Sequence, residues 1–153
     1  MTTSWHAKIA EWSKLNEREA IKAIRQQVFI VEQHVPVELE WDELDSACLH
    51  LLISSANERN IATARMHIES TSAYIGRMAV LKPYRQQGIG SLMLQTLLEQ
   101  AQLNAVKTVT LNAQTVAIGF YEQHGFTVTG DEFPDAGIPH YKMTKHLTDQ
   151  IHE

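Results

Sequence analysis

With 153 residues, 44% of them hydrophobic and 20% charged, the chain is long enough to bury a core without disulfides or metals, and one domain over 1–153 is expected. A formal net charge of -5 excludes attraction to phosphate backbones by bulk charge, so nucleic acid is not an expected partner. The longest apolar runs, such as "LHLLI" at 49–53, fall far short of a membrane span, and "MTTSWHAKIAEW" lacks a basic start ahead of an apolar signal core. A cytosolic protein with no membrane partner is therefore expected. The single cysteine, Cys48, cannot close an internal disulfide and sits in an apolar run, where a buried, inert thiol is expected.

Alternation in "WHAKIAEW" predicts an opening strand, and Asn16 with Glu19 three residues later predicts a capping-box start for a helix through about Val28. Residues 32–45, "EQHVPVELEWDELD", hold six carboxylates without a Lys or Arg, and with Pro36 they predict an acidic loop with at most a short helix. Strands near 48–55, 61–69 and 73–81, separated by "ANERN" and "STS", predict an antiparallel meander. A helix after Gly88 places Ile89, Leu92, Met93, Leu97 and Ala101 on one stripe, and the buried strand "VKTVTLNA" beyond it implies a parallel crossover. A second helix over about 115–124 stops at Gly125, "FTVTG" resumes as a strand, and "PHYKMTKHL" supplies the last one. The sum is an α+β fold: a mixed, mostly antiparallel sheet of six to seven strands with one parallel pair, flanked by about four helices.

The helix start "RQQGIG", 85–90, carries more glycine than a helix tolerates. The first turn of a helix has backbone N–H groups without internal partners and a partial positive charge, which suit an anion. Gly88 and Gly90 would let a phosphate approach those amides, with Arg85 as a charge partner. A Rossmann fingerprint needs a small residue where Met93 stands, and a P-loop needs Gly-Lys-Ser/Thr; neither is present.

"RMAVLKPYRQQGIGSLML" resembles motif A of the GNAT superfamily of acyl-CoA-dependent N-acyltransferases, and "AQTVAIGFYEQHGF", 113–126, resembles its motif B. "IRQQVFIVEQHVPVELEWDELD" and "DAGIPH" are further similar to a group of small bacterial GNAT proteins. The resemblance implies a GNAT fold with splayed parallel central strands and acetyl-CoA as cosubstrate. Its pantetheine arm would pair with the backbone of Met78, Ala79 and Val80. Its diphosphate would rest on Gln86, Gln87, Gly88, Ile89, Gly90 and Ser91, and Asn112 or Gln114 would hold the arm. Gln114 stands where many members carry Asn. No metal is implied, and the eight histidines are scattered without ligand spacing.

Acetyl transfer to an amine needs a proton donor for the leaving thiolate and an acceptor for the amine's proton. Tyr121, which the resemblance places against the sulfur, is the candidate acid. Gln114, Ala117 or Ile118, and Tyr121 follow helical spacing and are expected on one helix face. Many relatives carry a glutamate on the cofactor strand; alternation here places Tyr74, Gly76 and Met78 on one face and Ile75, Arg77 and Ala79 on the other, with no carboxylate. Glu32 and His140 are the candidate bases. Glu32, Glu40 and Asp42 are candidates for one wall of the acceptor cleft, drawing in a cationic amine, whether small molecule or peptide. The expected function is an N-acetyltransferase; the alternative is a non-catalytic acyl-CoA-binding sensor, and either is compatible with a homodimer.

Overall fold

The computed structural model describes residues 4–57 and 59–148. Strands β1 (His6–Ala10), β2 (Leu49–Ser54), β3 (Asn60–Glu69) and β4 (Ser72–Val80) pair antiparallel in that order, the expected meander with the opening strand at its outer edge. Helix α3 (Ile89–Leu103) carries the chain back across the sheet, so β5 (Thr108–Gln114) lies parallel to β4, and β8 (Ile138–His146) closes antiparallel on β5. Two short strands, β6 (Thr127–Val128) and β7 (Phe133–Asp135), also pair with β8, giving eight strands instead of six or seven. The strand not anticipated is β7. Its Pro134 lies opposite Pro139, a pairing in which neither residue can donate, tolerated because β7 pairs with β8 alone.

The sheet buries an apolar layer on each face. On one, Ile89, Met93, Leu94, Leu97 and Ala101 of α3 pack onto Leu51, Ile53, Ile75, Val109 and Leu111. On the other, Ile21 and Ile24 of α1 (Leu15–Arg25), with Val28, pack onto Ala10, Leu52 and Ala79. The capping box is not formed: α1 starts at Leu15, so Asn16 lies inside it, and no side chain caps its first turn. Glu17 instead accepts the backbone N–H of Glu11 at 2.9 Å, tying β1 to the helix. Beyond Arg25 the helix widens into a π-helical segment, Gln26–Glu32, before the acidic stretch and the one-turn helix α2 (Val37–Glu40).

In the acidic stretch, Glu40, Asp42 and Asp45 are engaged in a folded ion-pair cluster. Arg25, 1% exposed, donates through Nε to Glu40 and through Nη1 to Asp45, each at 2.7 Å. Arg65 grips Asp42 through both Nη atoms at 2.8 and 2.7 Å and reaches Asp45 at 2.8 Å. Arg77 pairs with Glu40 at 3.2 Å and with Asp42 at 3.3 Å, and its Nη2 also donates to the carbonyls of Leu39 and Glu40. Three guanidinium groups thus match three carboxylates, and the cluster carries no net charge.

Arg77 is also where β4 is irregular. Thr63 of β3 pairs with Ala79, but Arg65 pairs with Gly76, so β4 holds one residue more than β3 over this span. This is a β-bulge, and Arg77 takes a φ of 53° within it. One extra residue switches the faces of everything beyond it. Ala73 and Ile75 face α3 before the bulge; after it Met78 and Val80 face that side and Ala79 faces α1. The simple alternation expected for residues 74–79 is therefore broken at Arg77.

The hydrogen bonds from Arg65 hold the Asp42 carboxyl well below the usual carboxylate range, against the opposing effect of burial. A depressed folded-state pKa stabilises the fold fully above the unfolded value near pH 4, and that contribution is lost as the pH falls through the folded value. Asp42→Asn should lower the unfolding free energy by about 1–2 kcal/mol at pH 7. Urea unfolding repeated from pH 7 to pH 3 should show the gap between variant and parent narrowing below about pH 4.

Candidate active site

The parallel pairing of β4 and β5 runs from Ser72 opposite Thr108 to Ile75 opposite Leu111 and then stops, although both strands continue. Beyond the bulge they diverge, and a cavity of about 430 Å³ opens in the wedge. Ile75, Gly76, Arg77 and Met78 line it from β4, and Leu111, Asn112 and Gln114 from β5. The segment after α1 contributes Phe29, Gln33, Val35, Leu39 and Glu40. Ala117 and Tyr121, which follow β5, line it too, and the β7–β8 hairpin adds Asp135, Ala136, Ile138 and His140.

Tyr121, in α4 (Ile118–Gln123), directs its O–H at Met78 Sδ, 3.4 Å away. Sulfur is a weak acceptor, so the hydroxyl is held in position without being strongly engaged. Burial pushes the Tyr121 pKa up to about 12, which keeps the phenol protonated at neutral pH. His140, 8% exposed, makes a 2.6 Å hydrogen bond from Nδ1 to the Ile138 carbonyl, and its ring stacks on Phe133. A carbonyl only accepts, so Nδ1 carries the proton and, in the neutral ring, Nε2 keeps its lone pair. Gln114 is the last residue of β5 and not part of the following helix, yet it lines the same cavity as Ala117 and Tyr121 and donates to Gln33 at 3.1 Å. Asn112 lies two residues earlier on the same strand and is exposed there.

At the start of α3 the chain passes through two left-handed residues, Gln86 at φ 64° and Gly88 at φ 82°. The first helical hydrogen bond runs from Leu92 N–H to the Gly88 carbonyl. Among the described residues, the six N–H groups from Gln86 to Ser91 meet no protein acceptor. The two glycines serve different needs. A Cβ on Gly88 would meet only open space, so its backbone angle calls for glycine, whereas a Cβ on Gly90 would lie 3.2 Å from Phe120 Cζ. Gly90 is the contact through which α3 and α4 close on one another. Ser91 Oγ is 3.1 Å from His124 Nε2, a second link between the same helices.

Arg85 and Glu32 are paired with each other at 2.8 Å, and Arg85 Nε donates to the Val80 carbonyl at 2.8 Å. Glu32 is thus neutralised by a guanidinium and lies outside the cavity lining, and Arg85 clips the end of β4 to the π-helical segment. Of the two candidate bases, only His140 lines the cavity. At the edge of β4, the Leu81 N–H donates to the Ile61 carbonyl, so by antiparallel alternation the backbone groups of Ala79 face β3 and those of Met78 and Val80 face the wedge.

A sequence model described as an acetyltransferase (GNAT) domain matches residues 13–147. The chain belongs to the GNAT acetyltransferase family. The Bacillus subtilis protein YyaT is 38% identical to this GNAT chain over 136 residues, covering 87% of it and 90% of YyaT. The uncharacterized N-acetyltransferase YjcF of the same organism is 37% identical over 123 residues, covering 80% and 87%. An acyl-CoA N-acyltransferase from Pseudomonas aeruginosa superposes with a TM-score of 0.82 at 28% identity, covering 94% of this chain and 99% of that one. Escherichia coli ElaA, at 24% identity and a TM-score of 0.78, shares the fold. GNAT proteins use acyl-CoA as cosubstrate; the wedge between β4 and β5 and the unpartnered N–H row at the start of α3, which lies outside the cavity lining, each suit a part of such a molecule. Among the described residues no group of His, Cys, Asp and Glu could hold a metal ion, and no helix is long and apolar enough to cross a membrane.

The sequence did not single out the residues that the segment after α1 and the β7–β8 hairpin bring to the cavity, apart from Glu40 and His140. Gln33 and Asp135 line the cavity, and Asp135 stands five positions before His140 in the "DAGIPH" run that marked the histidine. The glycines offer a direct check. Gly88→Ala should cost about 1–2 kcal/mol of unfolding free energy, since alanine must take a left-handed angle. Gly119→Ala, whose Cβ meets nothing, should be neutral or stabilise by up to about 1 kcal/mol through helix propensity. Urea unfolding of both variants measures the contrast.

Proposed function

We propose that this GNAT protein transfers an acetyl group from acetyl-CoA to a primary amine by direct attack within a ternary complex. The observation that carries this reading is the pairing, in one cavity at the strand wedge, of a phenol kept protonated with a histidine whose Nε2 is free. The N–H groups of Gln86 to Ser91 bind the diphosphate, and the outward backbone edge of Met78 and Val80 pairs with the pantetheine arm as an added strand would. Asn112 and Gln114 hold the arm from β5. An N–H on the Met78–Val80 edge meets the thioester oxygen as negative charge builds there.

His140 Nε2 takes the proton that the ammonium must lose, directly or through one water, and Tyr121 gives its proton to the departing sulfur. The new bond is carbon to nitrogen, the broken one carbon to sulfur. The Tyr121 phenolate, strongly basic in its buried setting, is reprotonated from solvent, to which His140 returns the amine's proton. Leaving the sulfur as a thiol suits a donor of pKa about 12 less for driving force than for remaining loaded at every working pH.

With acetyl-CoA and a panel of amines, release of free thiol reports turnover and mass spectrometry reports the product. Tyr121→Phe should lower kcat about a hundredfold with acetyl-CoA affinity little changed. His140→Gln should lower kcat by a similar factor at pH 7 and lose less at pH 9, where more of the amine is already neutral. Full turnover in both variants would overturn the assignment of acid and base.

A further inference from the structure

The cavity has one charge left over. Glu40 is matched by Arg25 and Arg77, and Arg77 by Glu40 and Asp42, so neither presents uncompensated charge to a ligand. Asp135 also lines the cavity, is exposed, and has no ion pair or side-chain hydrogen bond among the described residues. The same cavity also carries apolar side chains, Phe29, Val35, Leu39 and Ile138 among them. A free carboxylate in the cavity disfavours an acceptor whose tail carries a negative charge and favours one whose tail carries a positive charge.

The hairpin fixes where that carboxylate stands relative to His140. Asp135 pairs with Ile138 across a two-residue turn, and Ala136 and Gly137 hold φ values of 52° and 79°. Positive φ at both central residues is the type I′ arrangement, and the left-handed alanine costs about 1–2 kcal/mol. Residues directly opposite in a ladder share a face, and so do residues two apart on one strand, so Asp135, Ile138 and His140 all point the same way. The position of Asp135 is therefore about 7 Å along the strand from that of His140.

The two groups cannot serve the same nitrogen well. An ion pair with Asp135 would keep an ammonium protonated and so suppress its attack, whereas the lone pair of His140 removes the proton. The geometry points to an acceptor with two basic nitrogens: the reacting amine at His140, and a second that stays protonated, anchored by Asp135. The two backbone positions form a cross-strand diagonal of about 7–8 Å, which sets the scale of the linker at a few methylene groups. The substrate class is thus an α,ω-diamine or a molecule ending in one, such as an alkyl chain bearing a terminal amine and a distant ammonium.

This inference rests on the acetyl-transfer reading, and two measurements separate their failures. Calorimetric titration of the full-length protein with pentane-1,5-diamine, pentylamine and 5-aminopentanoate tests the anchor without turnover. The diamine should bind about fivefold more tightly than the monoamine, and the amino acid more weakly than either. Asp135→Asn should abolish the diamine's advantage by lowering its affinity more than that of pentylamine. Equal binding of diamine and monoamine to the parent protein, or an equal loss for both in the variant, overturns the anchor. Thiol release with the same amines then addresses chemistry: a diamine preference in kcat/KM that disappears in Asp135→Asn supports the inference, and monoamine turnover without that preference overturns it alone. Binding selectivity with no turnover of any amine overturns the transfer reading and leaves Asp135 as a diamine anchor of a binding module.

Discussion

The contact on which the site depends is the grip of the acidic stretch on Arg77. A parallel pair of strands has no intrinsic reason to part after four residue pairs; β4 parts from β5 beyond a bulge whose extra residue adopts a left-handed backbone. Such a conformation costs free energy and persists only where surrounding contacts determine it. Here the guanidinium of the strained residue meets two carboxylates and two backbone carbonyls, and the carboxylates are themselves locked by Arg25 and Arg65. The ion pairs therefore act on geometry. Their value lies less in net stability, which desolvation largely cancels for buried pairs, than in fixing where the sheet opens.

A second chain of contacts ties the glycine-rich start of α3 to the tyrosine. Phe120 packs where Gly90 has no side chain, and the next residue in sequence is Tyr121, whose hydroxyl reaches Met78 on the divergent strand. The helix start, the tyrosine and the strand edge are thus held in fixed relation by one aromatic contact and one glycine. Phe120 and Tyr121 meet edge to face with centroids 5.0 Å apart, which limits independent movement of the two rings.

What could be read in the sequence was what short-range chemistry dictates. Strand alternation, the α3 stripe, Gly125 after α4 and the "RQQGIG" turn are local signals, and each element stands within a few residues of its expected place. His140 and Tyr121, singled out by local motifs, do line one cavity. The features that escaped depend on partners far away in sequence. Arg77 meets Leu39 across 38 positions and Arg85 meets Glu32 across 53, and no window along the chain reveals that an acidic run will be neutralised or a lone arginine spent on structure. The bulge is equally hidden, because "YIGRMAV" alternates plausibly without it. Asp135 escaped because β7, with its proline, does not read as a strand, and only the hairpin carries that carboxylate to the cavity.

On the acetyl-transfer reading, the acceptor wall would be built from parts that the donor side does not use. Phe29, Val35 and Leu39 belong to the connection between α1 and β2, and Asp135 and Ala136 to a hairpin tip, while the thioester would rest on β4 and the start of α3. Substitutions in the first two segments can alter which molecule is accepted without disturbing how the activated acyl group is held. A lineage built this way can change its clientele by drift in two surface segments while its reaction stays constant, and relatives of equal overall identity need not share a substrate.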